Sequence, residues 1–397
     1  MSDPSLPVPT RMDAVQAPII PIVGEWIRQT PGTISLGQGI VHYGPPPAAL
    51  EAVRAALADP ALHGYHDGAG LPALVDRIAA KLATENHTDI SAGMRVLVTA
   101  GANMAFMHAV LVTTSPGDEV IIPVPFYFNH EMAIEMAGCR PVPVPTDERY
   151  QLRLEAMRAA LTPRTRAIVT VSPNNPTGAV LSEASLRDVN DLCRERGLYH
   201  ISDETYEYFT YGSARHTSPA SFPAAARHTI AIYSLSKAYG FAGWRIGYLA
   251  YPSHLAEAMM KSQDTIVICP PIASQIAAAA ALEVGRAYCE PHVQALAALR
   301  ETVVTRLSEL APLAVVPAAD GAFYCLMRVD NRGDTPDDPM RLAERLIREH
   351  RVAVIPGPAF GMHDGCYVRV AYGALQEATV AEGIGRLVGG LRQILGS

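Results

Sequence analysis

Short apolar runs rich in β-branched residues alternate with longer amphipathic stretches through the centre of the chain. The runs that we predict to be strands lie at residues 95–99, 119–123, 166–171, 198–202, 229–234 and 246–250. Between several of them apolar residues recur at helical spacing, as at residues 183–196. This alternation predicts an α/β fold in which a mostly parallel sheet lies between helices.

The pattern changes after about residue 287. A long helical stretch at 291–310 leads into further predicted elements, which are strands at 314–316, 322–329 and 366–371 and helices at 339–351 and 377–395. This second layout is typical of an α+β domain. We therefore predict a large domain at residues 46–287 and a smaller one at residues 288–397, with residues 1–45 packed against the smaller domain.

Composition and charge exclude several classes of protein. Of 397 residues, 49% are hydrophobic and 18% are charged, which excludes a disordered chain. The net charge is −7 without a basic stripe, so nucleic acid and anionic membranes are disfavoured as partners. The six cysteines are scattered, which favours free thiols over disulfides or a metal site. The start lacks a signal-peptide core and the most apolar run, 272–282, is too short to span a bilayer, so we expect a cytoplasmic protein.

Primary amines are scarce in this chain, because lysine occurs only at Lys81, Lys237 and Lys261. Chemistry that needs a side-chain amine therefore has three candidates. Lys81 and Lys261 lie in helical stretches among other polar residues, and we expect both at the surface.

Lys237 lies in a segment with the character of a phosphate site. It follows Ser234 and Ser236 at the end of a predicted strand and precedes a glycine-rich loop and Arg245. Two hydroxyls and a guanidinium around one amine suit a phosphorylated aldehyde, because the amine can form a Schiff base and the donors can bind the phosphate. A solvated loop lysine beside a structural glycine bend is the alternative.

Two glycine-containing segments are further candidates for phosphate binding. Gly101, Ala102 and Asn103 lie at a predicted strand-to-helix junction, where backbone N–H groups and the helix dipole favour a phosphate. Turns of this kind are also common without a ligand. Residues 37–39 begin like a dinucleotide-binding fingerprint, but His42 occupies the third glycine position, so that hypothesis fails.

Two other strand ends carry polar side chains. Asn175 begins an Asn-Pro-Thr-Gly turn after the predicted strand at 166–171, where open α/β sheets place ligands. Asp203 and Tyr206 follow the strand at 198–202, and they could pair with a protonated ring nitrogen and hold a phenolate-like oxygen. An ordinary turn and a helix N-cap at Asp203 are the alternatives.

Arg369 is a charge within the apolar strand at 366–371. A guanidinium in such a strand needs a partner, and a substrate carboxylate bound by two hydrogen bonds is one solution. An internal aspartate or glutamate is the other.

Together these segments resemble the fold-type I pyridoxal-phosphate enzymes, and among them the class I/II aminotransferases related to aspartate aminotransferase. Asn-Pro-Thr-Gly, Asp-x-x-Tyr and Ser-x-Ser-Lys with an arginine eight residues later occur here in the family's order. The resemblance covers nearly the whole chain, from residue 36 to Arg369. It implies a large domain with a mostly parallel sheet, a smaller α+β domain, and pyridoxal 5′-phosphate as cofactor.

The resemblance implies roles for the residues around the cofactor ring. Lys237 would hold the cofactor aldehyde and act as the general base, and Asp203 would keep the pyridine nitrogen protonated. Tyr206 and Asn175 would hold the 3-oxygen of the ring. Tyr127 would stack on the ring face, and its neighbour Phe126 is the alternative.

The resemblance also implies how the phosphate and the substrate are bound. The phosphate set would comprise Gly101, Ala102, Asn103, Ser234, Ser236 and Arg245. Tyr65 resembles a tyrosine that the family lends to the phosphate of the neighbouring subunit, which implies a homodimer. Arg369 would hold the substrate α-carboxylate, and Gly39, Ile40 and Asn175 would be the other substrate-binding residues.

The activity implied is transfer of an amino group from an L-amino acid to a 2-oxo acid in a ping-pong cycle. Residues 40–43 offer apolar and aromatic surface with one histidine, and residues 265–271 are apolar, which favours apolar or aromatic donors. An aspartate- or glutamate-specific aminotransferase remains an alternative, as does a C–S β-lyase, a cyclising synthase or an oxidase-like enzyme of the same fold. A non-catalytic sensor module is disfavoured, because only about 35 residues precede the first family motif, which leaves little room for a DNA-binding domain.

Overall fold

The computed structural model describes residues 10–330 and 338–396. In these ranges the strands are β1 (Ile34–Ser35), β2 (Met94–Thr99), β3 (Glu119–Val124), β4 (Arg140–Pro145), β5 (Thr165–Val171), β6 (Tyr199–Asp203), β7 (Thr229–Ser234), β8 (Gly247–Pro252), β9 (Ala314–Val315), β10 (Tyr324–Val329), β11 (Val352–Ala353), β12 (Ile355–Pro356) and β13 (Cys366–Ala371). The α-helices are α1 (Thr10–Asp13), α2 (Ile19–Gln29), α3 (Pro47–Ala56), α4 (Pro72–Glu85), α5 (Ala102–Thr113), α6 (Phe128–Met136), α7 (Leu154–Ala160), α8 (Glu183–Arg196), α9 (Ala256–Val267), α10 (Ile272–Val284), α11 (Arg286–Ser308), α12 (Pro339–His350) and α13 (Glu377–Leu395).

The central sheet has the strand order β2-β8-β7-β6-β5-β3-β4. Strands β7, β6, β5, β3 and β4 are parallel, whereas β8 is antiparallel to both of its neighbours. Successive side chains of a strand point to opposite faces. Val169 accordingly packs with α5 and α9, while Ile168 packs with α7 and α8. The predicted α/β fold with a mostly parallel sheet between helices is confirmed.

The edge strand β4 was not among the predicted strands. Its sequence, Arg-Pro-Val-Pro-Val-Pro, has a proline at every second position, and proline cannot donate a backbone hydrogen bond. β4 bonds only to β3, so it occupies the edge position that tolerates proline.

Helix α11 begins five residues before the predicted start, and Pro291 lies inside it. In the described part of the chain, no helix has the length and apolar character needed to cross a membrane.

A second, smaller sheet forms the core of the C-terminal part. Its order is β12-β13-β10-β9, and its neighbouring strands are antiparallel, which confirms the predicted smaller α+β unit. The N-terminal strand β1 pairs in parallel with β11, and α2 packs against α12. The residue limits given above for the two domains stay a prediction. The first nine residues of the predicted N-terminal segment and residues 331–337 and 397 of the predicted smaller domain lie outside the described residues.

Candidate active site

A cleft lies at the carboxyl ends of β5, β6 and β7, beside the first turn of α5. It holds about 590 Å³ of empty space. Its lining residues are Ala102, Asn103, Tyr127, Val171, Asn175, Asp203, Thr205, Tyr206, Ser234, Ser236, Lys237 and Arg245. Because the carboxyl ends of parallel strands meet at one edge of the sheet, segments that are far apart in sequence converge there. Most residues that the sequence predicts around a cofactor therefore share one cleft.

Lys237 presents its amine to this cleft, and the pKa of that amine is lower than that of an ordinary lysine. Its side chain is partly exposed to the cleft, and Nζ donates a 2.6 Å hydrogen bond to the carbonyl oxygen of Gly39. Desolvation by burial, followed by the positive charges of Arg245 and Arg369, lowers the pKa of Lys237 to about 8, against an opposing effect of Asp203. A pKa near 8 leaves about one amine in ten uncharged at pH 7.

The other two lysines differ from Lys237 in different ways. Lys261 is exposed and pairs with Glu257 one helical turn away, as predicted for a surface position. The prediction for Lys81 was wrong, because its side chain is buried and only 7% of the residue's surface is exposed. Its Nζ lies 2.5 Å from Glu207 Oε1 and 2.7 Å from Asn86 Oδ1. Asn86 follows the same helix, α4, whereas Glu207 lies between β6 and β7 and is brought to Lys81 only by the fold.

The phosphate-like end of the cleft is built from a helix N-terminus and an arginine. Gly101 is the N-cap of α5 with a φ of 87°, a left-handed conformation that favours glycine. A β-carbon at this position would overlap the guanidinium of Arg245, so the arginine lies directly over the backbone of the turn. Ser234 and Ser236 also line the cleft, and Ser234 Oγ accepts a 3.1 Å hydrogen bond from the backbone N–H of Ser236. Backbone N–H groups, hydroxyls and a guanidinium thus surround one end of the cleft, an arrangement that suits a phosphate dianion.

Asp203 is a buried carboxylate that is held in its ionised form. Burial would raise the pKa of Asp203, but hydrogen bonds and charge from His130, with hydrogen bonds from Thr205, bring it below its usual value. His130 Nε2 lies 3.0 Å from Asp203 Oδ2, and the Thr205 backbone N–H donates to Oδ1 at 3.0 Å. An ionised carboxylate at this depth can stabilise a protonated ring nitrogen. The helix-cap alternative is wrong, because a turn and not a helix follows β6 at this point.

Asn175, Tyr206 and Arg369 form one connected polar group. Arg369 Nη1 donates to Asn175 Oδ1 at 2.8 Å, and Asn175 Nδ2 donates to the Tyr206 hydroxyl at 3.3 Å. The Tyr206 hydroxyl also lies 2.8 Å from that of Tyr324. All four side chains are buried. A continuous chain of hydrogen bonds therefore runs from Arg369 to the cleft-lining residues Asn175 and Tyr206.

Arg369 is a buried cation whose hydrogen bonds go to neutral oxygens. Besides Asn175, its Nη2 donates to the Gly37 carbonyl at 2.7 Å, and its guanidinium lies 4.7 Å from the Tyr324 ring centre and 5.1 Å from that of Phe360. Its Nε is buried and has no hydrogen-bond partner in the described part of the chain. The alternative of an internal carboxylate partner therefore receives no support from the described contacts.

Of the two adjacent aromatic candidates, Tyr127 lines the cleft and Phe126 does not. Phe126 instead packs in the large-domain core and against Gly361. The Tyr127 hydroxyl accepts a 2.8 Å hydrogen bond from Asn129, which fixes the ring. The geometry therefore favours Tyr127 over Phe126 as a ring-stacking residue.

The remaining predicted residues lie at or beyond the rim. Gly39 contributes its carbonyl to Lys237, and the adjacent Ile40 is 42% exposed. Tyr65 is 82% exposed and is not part of the cleft lining. Within a single chain, the structure does not bring Tyr65 together with the other predicted residues.

Sequence reasoning missed three neighbours of the predicted residues. They are His130 beside Asp203, Thr205 in the cleft wall and Tyr324 beside Tyr206. Thr205 lies inside the Asp-x-x-Tyr motif, so its place beside Asp203 was accessible from the sequence. His130 and Tyr324 meet their partners only through the fold, and no local motif marks them.

Comparisons with known proteins agree with this geometry. The family model described as aminotransferase class I and II matches residues 31–387. The chain belongs to this family. An aromatic aminotransferase of Arabidopsis thaliana is 34% identical over 386 residues, covering 95% of this chain and 94% of the relative. An aspartate aminotransferase of Pyrococcus abyssi is 36% identical over 348 residues, covering 87% and 88%.

Two solved aminotransferase structures are similar to this chain over nearly its whole length. The aromatic aminotransferase from Pyrococcus horikoshii OT3 superposes with a TM-score of 0.84 at 34% identity, covering 94% of this chain and 99% of that one. The Thermus thermophilus aspartate aminotransferase with maleate gives a TM-score of 0.88 at 31% identity, covering 97% and 100%. The protein is thus an amino-acid aminotransferase that depends on pyridoxal 5′-phosphate.

The cleft of this aminotransferase fits that cofactor at three separate points. The Gly101 turn under Arg245 suits the phosphate, the ionised Asp203 suits the pyridinium nitrogen, and the Lys237 amine suits the aldehyde. Arg369, which bonds to the cleft-lining Asn175, keeps a buried Nε without a hydrogen-bond partner in the described residues.

Proposed function

We propose that this aminotransferase acts on apolar or aromatic L-amino acids, with Arg369 binding the α-carboxylate and Lys237 moving the proton at Cα. The observation that carries the proposal is the state of Arg369. It is buried, its bonds go to a neutral amide and a backbone carbonyl, and Nε has no partner in the described residues. A buried cation without a counter-ion gains most from an anionic ligand, and a carboxylate can bind a guanidinium through two bonds.

The charges around the cleft support the apolar preference. Arg245 is taken by the phosphate end and Arg369 by the α-carboxylate, and Lys237 is required for the proton transfer. In the described residues, Lys237 and Arg245 are the only lysine and arginine that line the cleft, and Arg369 reaches it through Asn175. A second substrate carboxylate would need a further cation, because a desolvated carboxylate without a partner is strongly disfavoured.

The other cleft residues hold the cofactor in this proposal. Arg245, Ser234, Ser236 and the N-terminal turn of α5, which comprises Gly101, Ala102 and Asn103, would bind the phosphate. Asp203 would bind the ring nitrogen, Tyr206 and Asn175 the 3-oxygen, and Tyr127 the ring face. When bound, pyridoxal phosphate supplies an electron-withdrawing ring that accepts the charge left as the Cα–H bond breaks.

Lys237 is suited to carry the proton in both directions. A general base works best when its pKa lies near the working pH, and burial, followed by the charges of Arg245 and Arg369, brings the pKa of Lys237 close to that range. Its hydrogen bond to the Gly39 carbonyl orients Nζ towards the substrate side of the cleft. Its neutral form can therefore take the proton from Cα of the substrate, and its charged form can donate a proton to C4′ of the cofactor.

We also propose that two copies of the chain form a homodimer whose partner covers the rim. Tyr65, Ile266 and Ile268 are large side chains that remain exposed, and a β-carbon on Gly68 would lie 3.0 Å from the Ile268 carbonyl oxygen, so the loop that follows Tyr65 lies beside the end of α9. Exposed apolar groups that lie together favour association. Tyr65 of one copy would bind the cofactor phosphate of the other.

Mixing two defective variants tests this arrangement. Lys237→Ala removes the amine from its own site, and Tyr65→Ala removes a group that acts in the partner's site. A hybrid dimer would then contain one site with both groups intact, and we expect activity to return when the purified variants are unfolded and refolded together. No recovery in hybrids whose presence is verified by differential tags would contradict the assignment of Tyr65 to the partner's site.

A panel of amino donors with one 2-oxo acid acceptor tests the substrate proposal. We expect phenylalanine, methionine or leucine to exceed aspartate in kcat/KM. Relatives named aspartate aminotransferase support the competing preference for aspartate. A kcat/KM for aspartate at least about tenfold above those for phenylalanine, methionine and leucine would establish that preference instead. Release of pyruvate and ammonia without an acceptor would indicate a lyase as the alternative activity.

A further inference from the structure

The hydroxyl of Tyr324 touches the wall of the active site without facing the cleft. Tyr324 begins β10 and is fully buried, and its hydroxyl lies 2.8 Å from that of Tyr206. A β-carbon on Gly39 would lie 2.6 Å from the same hydroxyl oxygen, so the backbone of Gly39 closes the space on that side. Tyr206 lines the cleft, whereas Tyr324 lies behind it.

The hydrogen-bond directions around Tyr206 follow from the chemistry of its neighbours. Arginine can only donate, so the oxygen of the Asn175 amide must face Arg369 and its nitrogen must face Tyr206. The oxygen of Tyr206 therefore accepts a hydrogen bond from Asn175. Its own proton is free to point either to Tyr324 or into the cleft.

Only one proton can occupy the gap between the two tyrosine oxygens. Burial raises the pKa of Tyr206 and raises that of Tyr324 to about 12, so both stay protonated near neutral pH. If Tyr206 donated to Tyr324, the buried proton of Tyr324 would have no acceptor other than Tyr206 in the described residues. An unpaired buried donor is costly, so the favoured direction runs from Tyr324 to Tyr206.

We propose that Tyr324 is a positioning residue that donates to Tyr206 and so directs the Tyr206 proton to the 3-oxygen of the bound cofactor. This inference rests on the proposed function, in which Tyr206 binds that oxygen. Two donors, Asn175 and Tyr324, then converge on the Tyr206 oxygen. Such polarisation strengthens the hydrogen bond that Tyr206 itself donates. Tyr324 acts through Tyr206 and touches neither the substrate nor the cofactor.

The holoenzyme with Tyr324→Phe tests the proposal without relying on turnover. A hydrogen bond to the 3-oxygen favours the negative form of that oxygen. Weakening this bond should therefore make it harder to remove the proton on the neighbouring imine nitrogen, which joins the cofactor to Lys237. We expect the pH midpoint of the change in the cofactor's visible absorbance to rise by about 0.3 to 1 unit. Tyr206→Phe should raise the midpoint further, since it removes the direct donor.

The double variant Tyr206→Phe/Tyr324→Phe distinguishes an indirect effect from a direct one. Because Tyr324 acts through Tyr206, its removal should add nothing once the Tyr206 hydroxyl is absent. Tyr150→Phe is the matched control. It also removes a buried hydroxyl bonded to β10, through the carbonyl of Leu326 at 3.3 Å, and should leave the midpoint unchanged.

Each result bears on one hypothesis. A shift with Tyr206→Phe and none with Tyr324→Phe overturns the positioning role alone. An equal shift from Tyr324→Phe in the presence and absence of the Tyr206 hydroxyl also overturns it, because the effect would not pass through Tyr206. No shift with Tyr206→Phe overturns the proposed function of Tyr206. The thermal midpoint of each holoenzyme establishes that the variants compared are folded.

Discussion

Lys81 and Lys237 are two lysines inside the same fold, and they differ in what faces the amine. Lys81 is held by Glu207 and Asn86 and lies 4.9 Å from the ring centre of Tyr233. Lys237 donates to a neutral carbonyl, and Arg245 and Arg369 add positive charge nearby. Burial alone therefore does not make a lysine reactive. At Lys237, desolvation by burial and then the two arginine charges lower the pKa to about 8, and no bonded carboxylate offsets them.

The arginines follow the same rule. Arg300 is largely buried but pairs with Glu301 and with Asp320. Arg369 is more deeply buried and bonds to neutral oxygens. Arg300 is therefore matched by the protein's own carboxylates, whereas Lys237 and Arg369 donate to neutral oxygens at or behind the cleft, where anionic and electrophilic groups would bind.

The largest expected effect is the loss of activity in Lys237→Ala. Because the variant lacks both the attachment point of the cofactor and the base, we expect kcat/KM to fall by more than about 10³-fold. Borohydride reduction of the holoenzyme followed by peptide mapping should tag Lys237. The control Lys261→Ala, which removes an exposed amine, should retain full activity. A tag on Lys81 or Lys261 would refute the distinction drawn between the three amines.

Removal of Lys81 should instead affect stability. Lys81→Met leaves the Glu207 carboxylate buried beside Asn86, and breaking a buried ion pair in this way costs about 3–5 kcal/mol of the free energy of unfolding. Lys81→Met/Glu207→Leu removes both charges and should recover part of that loss. Urea midpoints measure both effects, and kcat of the folded enzyme should stay near the wild-type value. A large drop in kcat without loss of stability would place Lys81 among the functional cations.

Arg369→Gln should weaken recognition of the α-carboxylate. Truncating a buried charge pair costs about 2–4 kcal/mol, so we expect kcat/KM for an amino acid to fall by roughly 30- to 1000-fold. For the amine that has the same side chain but lacks the α-carboxylate, kcat/KM should fall far less. Arg300→Gln is the control for loss of a buried arginine and should preserve the ratio between the two substrates. An equal loss for both compounds would argue that Arg369 supports the fold and does not bind the carboxylate.

The parts of this comparison that could be predicted from sequence are the local ones. Lys237, Asp203, Tyr206 and Asn175 lie in short motifs at strand ends, where the sheet direction alone brings them to one edge. The burial of Lys81 could not be predicted, because its partner Glu207 is 126 residues away and only packing of α4 beside the segment after β6 joins them. The helical pattern of apolar and polar residues around Lys81 could not be distinguished from the pattern around Lys261.

The same limit applies to the contacts behind the cleft. His130 lies in the first turn of α6, and its partner Asp203 ends β6. Tyr324 belongs to the smaller sheet and meets Tyr206 across the boundary between the two sheets. Such pairs depend on how whole layers pack, and hydrophobic periodicity carries no information about which polar side chains will meet.

The smallest expected effect concerns the pH at which Lys237 becomes a free amine. Only the neutral amine can attack an aldehyde, so the rate at which the apoenzyme captures pyridoxal phosphate should rise about tenfold per pH unit below the pKa and level off above about pH 8. Arg369→Gln removes a positive charge near Nζ, and we expect the midpoint to move upwards by a fraction of a unit. Arg300→Gln should leave it in place. If the midpoint of the wild-type apoenzyme were near that of an ordinary lysine, neither burial nor the neighbouring arginines would lower the pKa of Lys237. The contrast with Lys81 would then depend on position in the cleft alone.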